Sequence, residues 1–333
     1  MRKLFILLFL AAPAWAEMPP NSDQFVARAV EEYGLLADEV RAVLEEAEFQ
    51  QSIVDAISRP AEGKPWHEYR KIFLTDKRID EGVAFWNEHR DLIAAASKKF
   101  GVDEDVIVAI IGVETFYGRI TGNYRTIDAL VTLGFYYPQN LKSDRSAFFS
   151  KELLQFLQLA SEEGLPATEI TGSYAGAMGM GQFMPSSYLE YAVDFDEDGH
   201  RDLWSSTDDA VGSVANYLKR HGWQLGQPVA VRMQASEGAD FESLDESSYK
   251  PSLTVAEWKA KGFTPSVEVP LDAPAAVLKL EEADRNGYWM VFNNFYVITR
   301  YNRSPRYAMA VFDLSQEIKH KFEQGSDQNA AIP

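Results

Sequence analysis

Eight residues without a polar side chain, Val106-Ile-Val-Ala-Ile-Ile-Gly-Val113, run straight into a glutamate, Glu114. Asp103 can cap a helix over this run, and a helix that is apolar on every side has to be enclosed by other elements. The rest of the chain must therefore wrap this segment. Glu114 is the single charge between Asp105 and Arg119. A carboxyl on such a segment is expected to be partly desolvated, which disfavours its charged form and raises its pKa. A carboxylic acid that keeps its proton near neutrality can act as a general acid. The alternative, a glutamate on a solvated helix surface, fits the apolar flanks and the turn at Gly118 less well. Further on, Gly172-Ser-Tyr-Ala-Gly-Ala-Met-Gly-Met-Gly-Gln-Phe-Met-Pro185 is a strip of small residues along which a substrate can approach the backbone. Together the two features point to an acid–base enzyme acting on a bulky polar polymer.

The first residues combine a basic start (Arg2, Lys3), a short apolar core (Leu4–Ala12) and an A-x-A site (Ala14-Trp-Ala16), the three parts of a secretory signal peptide over 1–16. That core is too short to span a bilayer, which takes about 20 residues. The chain has no cysteine, which excludes disulfides, thiol chemistry, Cys-based metal sites and a lipid-modified cysteine. The expectation is an exported, soluble periplasmic protein without a membrane anchor. The formal charge is −18, and removal of residues 1–16 takes away two cations and no acid. Such a chain suits neither nucleic acid nor an anionic membrane surface.

Apolar spacing predicts helices over 22–58, 79–99, the Glu114 segment, 126–136, 146–162, 186–193, 209–221 and 305–322. Segments 229–233, 275–280 and 288–299 read as strands. The fold class is mainly α (α+β). The expected division is a helical domain over 17–100, a catalytic core over 101–225, a small β-rich subdomain over 226–300, a helix over 301–323 returning to the core, and a tail over 324–333.

Asp194-Phe-Asp196-Glu-Asp198-Gly199-His200 places oxygen ligands at positions 1, 3 and 5, glycine at 6 and a backbone carbonyl at 7, the first half of an EF-hand calcium loop. The usual glutamate at position 12 is replaced by Ser205; Asp209, or second Asp208, could close a longer loop. The plainer reading is a solvated acidic turn. The five histidines lack H-x-x-x-H spacing, no G-x-S-x-G elbow is present, and no Lys-Ser/Thr follows the glycine strip. Zinc catalysis, a serine nucleophile and an organic cofactor are not expected.

Val113-Glu114-Thr-Phe-Tyr-Gly118-Arg119, Ser173–Tyr188, Asp194–Trp204 and Tyr296-Val-Ile-Thr-Arg-Tyr301-Asn302 resemble, in that order, the motifs of the lytic murein transglycosylase B family. The likeness extends over about residues 65–320. It implies a lysozyme-like catalytic core and cleavage of the β-1,4 bond between N-acetylmuramic acid and N-acetylglucosamine in peptidoglycan, leaving a 1,6-anhydromuramic end. It implies that Glu114 serves as acid and then as base. It further implies that Ser173, Gln182, Tyr217, Tyr301, Asn302 and Tyr307 contact or line the glycan groove, and that Arg145 reaches toward the muropeptide. A structural Ca2+ would be held by Asp194, Asp196, Asp198, the His200 carbonyl and Asp209. The partners implied are glycan strands and, among proteins, cell-wall enzyme complexes, with the enzyme itself a monomer. By residue type alone, Gln182 and Asn302 could be turn or cap residues and Tyr217 a core residue. A water-using muramidase and a non-catalytic glycan-binding scaffold are the rival functions.

Overall fold

The computed structural model describes residues 18–59, 63–240 and 249–330, with side chains to 325. The signal peptide expected at 1–16 and residues 331–333 of the expected tail lie outside them. In chain order the helices are α1 (Ser22–Tyr33), α2 (Ala37–Glu46), α3 (Gln51–Ile57), α4 (Trp66–Phe73), α5 (Asp76–Glu88), α6 (Arg90–Phe100), α7 (Glu104–Thr115), α8 (Thr126–Phe135), α9 (Ser146–Glu163), α10 (Pro185–Tyr191), α11 (Thr207–Arg220), α12 (Val255–Ala260), α13 (Asn293–Tyr301) and α14 (Pro305–Ala330). The strands are β1 (Tyr124–Arg125), β2 (Thr171–Gly172), β3 (Ala230–Ala235), β4 (Leu253–Thr254), β5 (Phe263–Pro265), β6 (Pro274–Glu281) and β7 (Asn286–Val291). The fold is mainly helical with a small antiparallel sheet, as the apolar spacing predicts. The chain forms two compact units.

The first unit joins the described residues up to Ser58 with Asn123–Gly176. Here α8 lies against α9 and α3, and α1 against α2 and α9. The single helical stretch expected over 22–58 is three helices. Gly34, at φ 67, ends α1 by turning its N–H back to the Val30 carbonyl, and Ala47 and Gln50 are extended at the next break. Asp128 fastens that break to α8: its carboxylate accepts from the Glu48 N–H at 2.8 Å and pairs with Arg125 at 2.8 Å.

The second unit joins Arg59–Gly122 with the chain from Ala177 onward. Its centre is α7, which packs against α14, α11, α5 and α6 and is buried continuously from Asp105 to Val113. This is the enclosure that an all-apolar helix requires. Gly112 has a specific reason to be there. A Cβ at this position would fall 2.6 Å from the hydroxyl of Tyr117, and one on Gly82 of α5 would strike the same hydroxyl. The two glycines make a seat for the Tyr117 ring, whose O–H donates to the Arg78 carbonyl at 2.8 Å. The helix expected over 79–99 is broken at His89, which closes α5 and opens α6 with non-helical angles (φ −110, ψ 27).

The sheet of this unit has the order β4-β6-β7-β3-β5, antiparallel throughout. One face packs a core that includes Val255, Trp258, Phe263, Val277 and Met290. The strand expected over 288–299 stops at Val291, and its second half is α13. The side chain of buried Asn294 accepts from the Gln224 N–H at 2.9 Å and donates to the Gln224 and Gln227 carbonyls at 2.7 and 3.0 Å. With Asn294 fixed in the first turn, Phe295, Val297 and Ile298 turn inward at helical spacing. Helix α14 continues to Ala330, beyond the end at 323 read from the sequence.

Candidate active site

Glu114 occupies the last turn of α7 and is half-buried. The helix ends abruptly because Phe116 and Tyr117 both adopt left-handed backbones, at φ 52 and 61. Such conformations are unfavourable for residues with a Cβ, and neighbouring bonds hold them in place. The Thr115 hydroxyl donates to the Met180 carbonyl at 2.8 Å and accepts from the Gly118 N–H at 3.0 Å. Thr115 thus ties the end of α7 to the small-residue strip. The sequence analysis did not single it out, although a hydroxyl directly after the candidate acid was visible there.

The strip from Met178 to Phe183 is a tight loop closed by reciprocal backbone bonds of 2.9 Å between those two residues. Gly179 (φ 68) is packed so that a Cβ would lie 2.5 Å from the Leu203 carbonyl oxygen, and the Met180 N–H donates to that carbonyl at 2.7 Å. The glycine here serves loop packing. Gln182, also left-handed at φ 50, donates through Nε2 to the Thr121 and Gly179 carbonyls at 3.0 and 3.1 Å. Its donor end is committed to the loop, which leaves Oε1 as its available polar atom.

Three tyrosines distant in sequence meet this frame. Tyr307, 3% exposed, donates its O–H to Glu114 Oε1 at 2.5 Å. Tyr301, the last residue of α13, donates to the Gly181 carbonyl at 2.5 Å. Its ring lies 4.7 Å from that of Tyr217 and edge-on to Phe183 at 5.8 Å. Burial first, and then the charge of Glu114, pushes the phenols of Tyr301 and Tyr307 well above their ordinary range, so both remain protonated donors. Tyr217 is 6% exposed. Its O–H donates to the Arg300 carbonyl at 2.5 Å, and its ring stacks on His221 at 4.2 Å. It backs Tyr301 from within the core. Asn302 caps α13 with an extended backbone and is half-buried.

Glu114, Gln182, Tyr217, Tyr301, Asn302 and Tyr307 all belong to the second unit, whereas Ser173 and Arg145 belong to the first. Ser173 is half-buried, and its Oγ accepts from the Ala175 N–H at 3.3 Å. Arg145 is exposed and lies over the rings of Phe148 and Phe149 at 4.7 and 5.1 Å.

In the acidic loop, carboxylate oxygens of Asp194, Asp196 and Asp209 come within 4.8 Å of one another. Asp209, 1% exposed, accepts from the Phe195 and Asp202 N–H groups, each at 2.7 Å, and so closes the loop from the first turn of α11. Burial pushes its carboxyl up, and the two N–H bonds oppose that shift. Asp208 and Asp198 stand outside this group; the Asp198 carboxylate accepts from the His200 N–H at 2.9 Å. Three carboxylates at such range repel unless a cation lies among them, and an all-oxygen set suits a hard cation such as calcium. The donor set therefore fits the ion that the loop spacing suggests.

Comparison with known proteins gives a consistent picture. The chain is 40% identical over 309 residues to the membrane-bound lytic murein transglycosylase B of Escherichia coli K12, covering 90% of this chain and 82% of that one. The soluble lytic transglycosylase SltB1 of Pseudomonas aeruginosa superposes with a TM-score of 0.83 at 46% identity, covering 91% of this chain and 99% of that one. The Escherichia coli lytic transglycosylase Slt35, solved in complex with calcium, superposes with a TM-score of 0.81 at 40% identity, covering 91% and 94%. The family model described as the transglycosylase SLT domain matches residues 17–316, nearly the whole described chain, and this protein belongs to that family.

Proposed function

We propose that this protein is a peptidoglycan lytic transglycosylase that cleaves the β-1,4 bond between N-acetylmuramic acid and N-acetylglucosamine and leaves a 1,6-anhydromuramic end. The observation that carries the reading is the setting of Glu114. One carboxyl group at a pinned helix end receives the buried Tyr307 hydroxyl on Oε1. We assign the mobile proton to Oε2, the oxygen that Tyr307 does not bind. Glu114 gives this proton to the glycosidic oxygen as the bond to C1 breaks. The resulting carboxylate then takes the proton of the muramic C6 hydroxyl, and O6 closes onto C1. No water is consumed, and Glu114 ends as it began, protonated. The work is general acid then general base catalysis by a single group, where hydrolytic glycosidases use a carboxylate pair.

Supporting roles follow from position. Gln182 Oε1 and Asn302 are the polar groups we assign to the sugar, Tyr301 is the wall beside it, and Tyr217 holds that wall. Ser173 and Arg145 are assigned to the glycan and its peptide on family likeness alone. Asp194, Asp196 and Asp209 would hold a calcium ion, completed by Asp198 and the His200 carbonyl; that ion would neutralise the loop and fix its shape, with no part in the chemistry. The protein is proposed to act in the periplasm as a soluble enzyme. Among the described residues no helix is long and apolar enough to cross a membrane, and the chain has no cysteine to carry a lipid.

The test is digestion of purified sacculi by the wild type and by Glu114→Gln, with mass spectrometry of the released fragments. The wild type should release muropeptides one water lighter than the reducing products of a muramidase, and the variant should release none. Fragments with free reducing ends would instead establish hydrolysis, and an unchanged digest with Glu114→Gln would remove the acid from the mechanism.

A further inference from the structure

Next to the Glu114 turn, three cations gather around one aromatic ring. The Phe116 ring has the Arg78 guanidinium 4.9 Å from its centroid, the Lys77 ammonium at 5.6 Å and the Arg119 guanidinium at 5.7 Å. Arg119 is paired with Glu81. Arg78 is not paired with any acid among the described residues: Nη1 donates to the Ile72 carbonyl at 2.5 Å, the Phe73 ring centroid is 5.3 Å from the guanidinium, and its buried Nε has no partner.

This arrangement is costly three times over. Burial of part of the guanidinium lowers its pKa, so its charged form is penalised. A buried donor without an acceptor forfeits its hydration. Lys77 and Arg78 also lie in the first turn of α5, where the helix dipole favours anions and opposes cations. Of the acids on α5, Glu81 is taken by Arg119 and Asp80 by Lys321, and the Arg78 guanidinium pairs with none of them, which leaves it to an anionic partner from outside. A guanidinium near two phenyl rings, with one nitrogen bonded to a backbone carbonyl, is restricted in its orientation, and its planar fork suits a carboxylate.

We infer that Arg78, with Lys77 and Arg119 around Phe116, forms a carboxylate-recognition site beside the catalytic turn, and that it takes a free carboxylate of the peptide attached to the glycan strand. The inference rests on the transglycosylase reading above and adds to it a determinant of substrate choice. In peptide-bearing strands the muramic lactyl carboxyl is tied up in an amide, so the free carboxylates belong to the peptide.

The experiment compares the wild type, Arg78→Gln, Arg78→Lys and the exposed-site variant Lys77→Gln on three soluble substrates: peptide-bearing strands, the same strands with their peptide carboxylates converted to amides, and strands stripped of peptide. On peptide-bearing strands Arg78→Gln should raise KM by about five- to tenfold with kcat held, Arg78→Lys should recover part of the loss, and Lys77→Gln should raise KM by about two- to threefold. On amidated and stripped strands all four proteins should have the same KM. An equal loss on every substrate, or no loss with either the Arg78→Gln or the Lys77→Gln variant, overturns the site. A loss that persists only on stripped strands assigns the carboxylate to the lactyl group and overturns its assignment to the peptide. A wild type that forms no anhydro product on any strand would defeat the transglycosylase reading and this inference with it.

Discussion

Replacing Tyr307 by phenylalanine removes one oxygen and keeps the ring. The site would lose the hydroxyl that donates to Glu114 Oε1 at 2.5 Å from a residue 3% exposed. Hydrogen bonds to a charged group contribute roughly 1.5–3 kcal/mol. At about 1.4 kcal/mol per tenfold in rate, the loss corresponds to roughly ten- to a hundredfold. The effect should fall on kcat. A side chain this enclosed offers little surface to a ligand, whereas the carboxyl it orients must present Oε2 first to the leaving oxygen and then to the C6 hydroxyl. Initial rates of anhydro-muropeptide release over a range of soluble glycan concentrations separate the two parameters, and a thermal melt checks that the variant is folded. A rate within twofold of wild type, or a raised KM at unchanged kcat, would refute the orienting role and return Tyr307 to the groove lining.

Three further outcomes follow from the same geometry. Burial pushes the Asp313 carboxyl up to about 6, well above the usual carboxylate range, against the pull of Arg70 and Arg232. The unfolded chain therefore releases this proton first as pH rises, and stability falls between about pH 4 and pH 6; Asp313→Asn should gain up to about 3 kcal/mol over wild type at pH 8 and nothing near pH 3.5, so equal melting differences at both pH values would count against it. Gly112→Ala drives a methyl to 2.6 Å from the Tyr117 hydroxyl, an overpacking expected to cost about 1–3 kcal/mol and to lower turnover through Glu114; a melting temperature and rate equal to wild type would show that the seat is loose. If the Asp194–Asp196–Asp209 cluster holds calcium, chelation should lower the melting temperature by several degrees, about 3 kcal/mol for an ion at a hundred times its Kd, and Asp209→Asn should abolish the difference between calcium and chelator; a melt indifferent to both would empty the site.

The helical periods and the apolar helix were readable because each depends on spacing within one segment. So was the half EF-hand, whose ligands lie two residues apart. What could not be read were meetings across the chain. Tyr307 reaches Glu114 from 193 residues away, and no local pattern marks it as a donor to a carboxylate. The apolar alternation after Val291 suits strand or helix, and the choice is made by Asn294, whose partners Gln224 and Gln227 lie about 70 residues earlier. Gly112 reads as a gap in an apolar run until Tyr117 is seen occupying it. Arg78 passed unnoticed because a lone arginine is ordinary, and its missing acid partner is a fact of the folded chain alone.

Phe116 and Tyr117 carry left-handed backbones in succession, at about 1–2 kcal/mol each. Glycine at either position would relax that strain, and a programme selecting only for hardiness would be drawn to such replacements. At Phe116 the relaxed backbone would adjoin the residue after Glu114; at Tyr117 the change would also empty the seat over Gly82 and Gly112. This short hook is therefore a place where robustness and turnover pull in opposite directions, and a thermally improved descendant of this enzyme should keep both aromatic residues and seek its gains elsewhere.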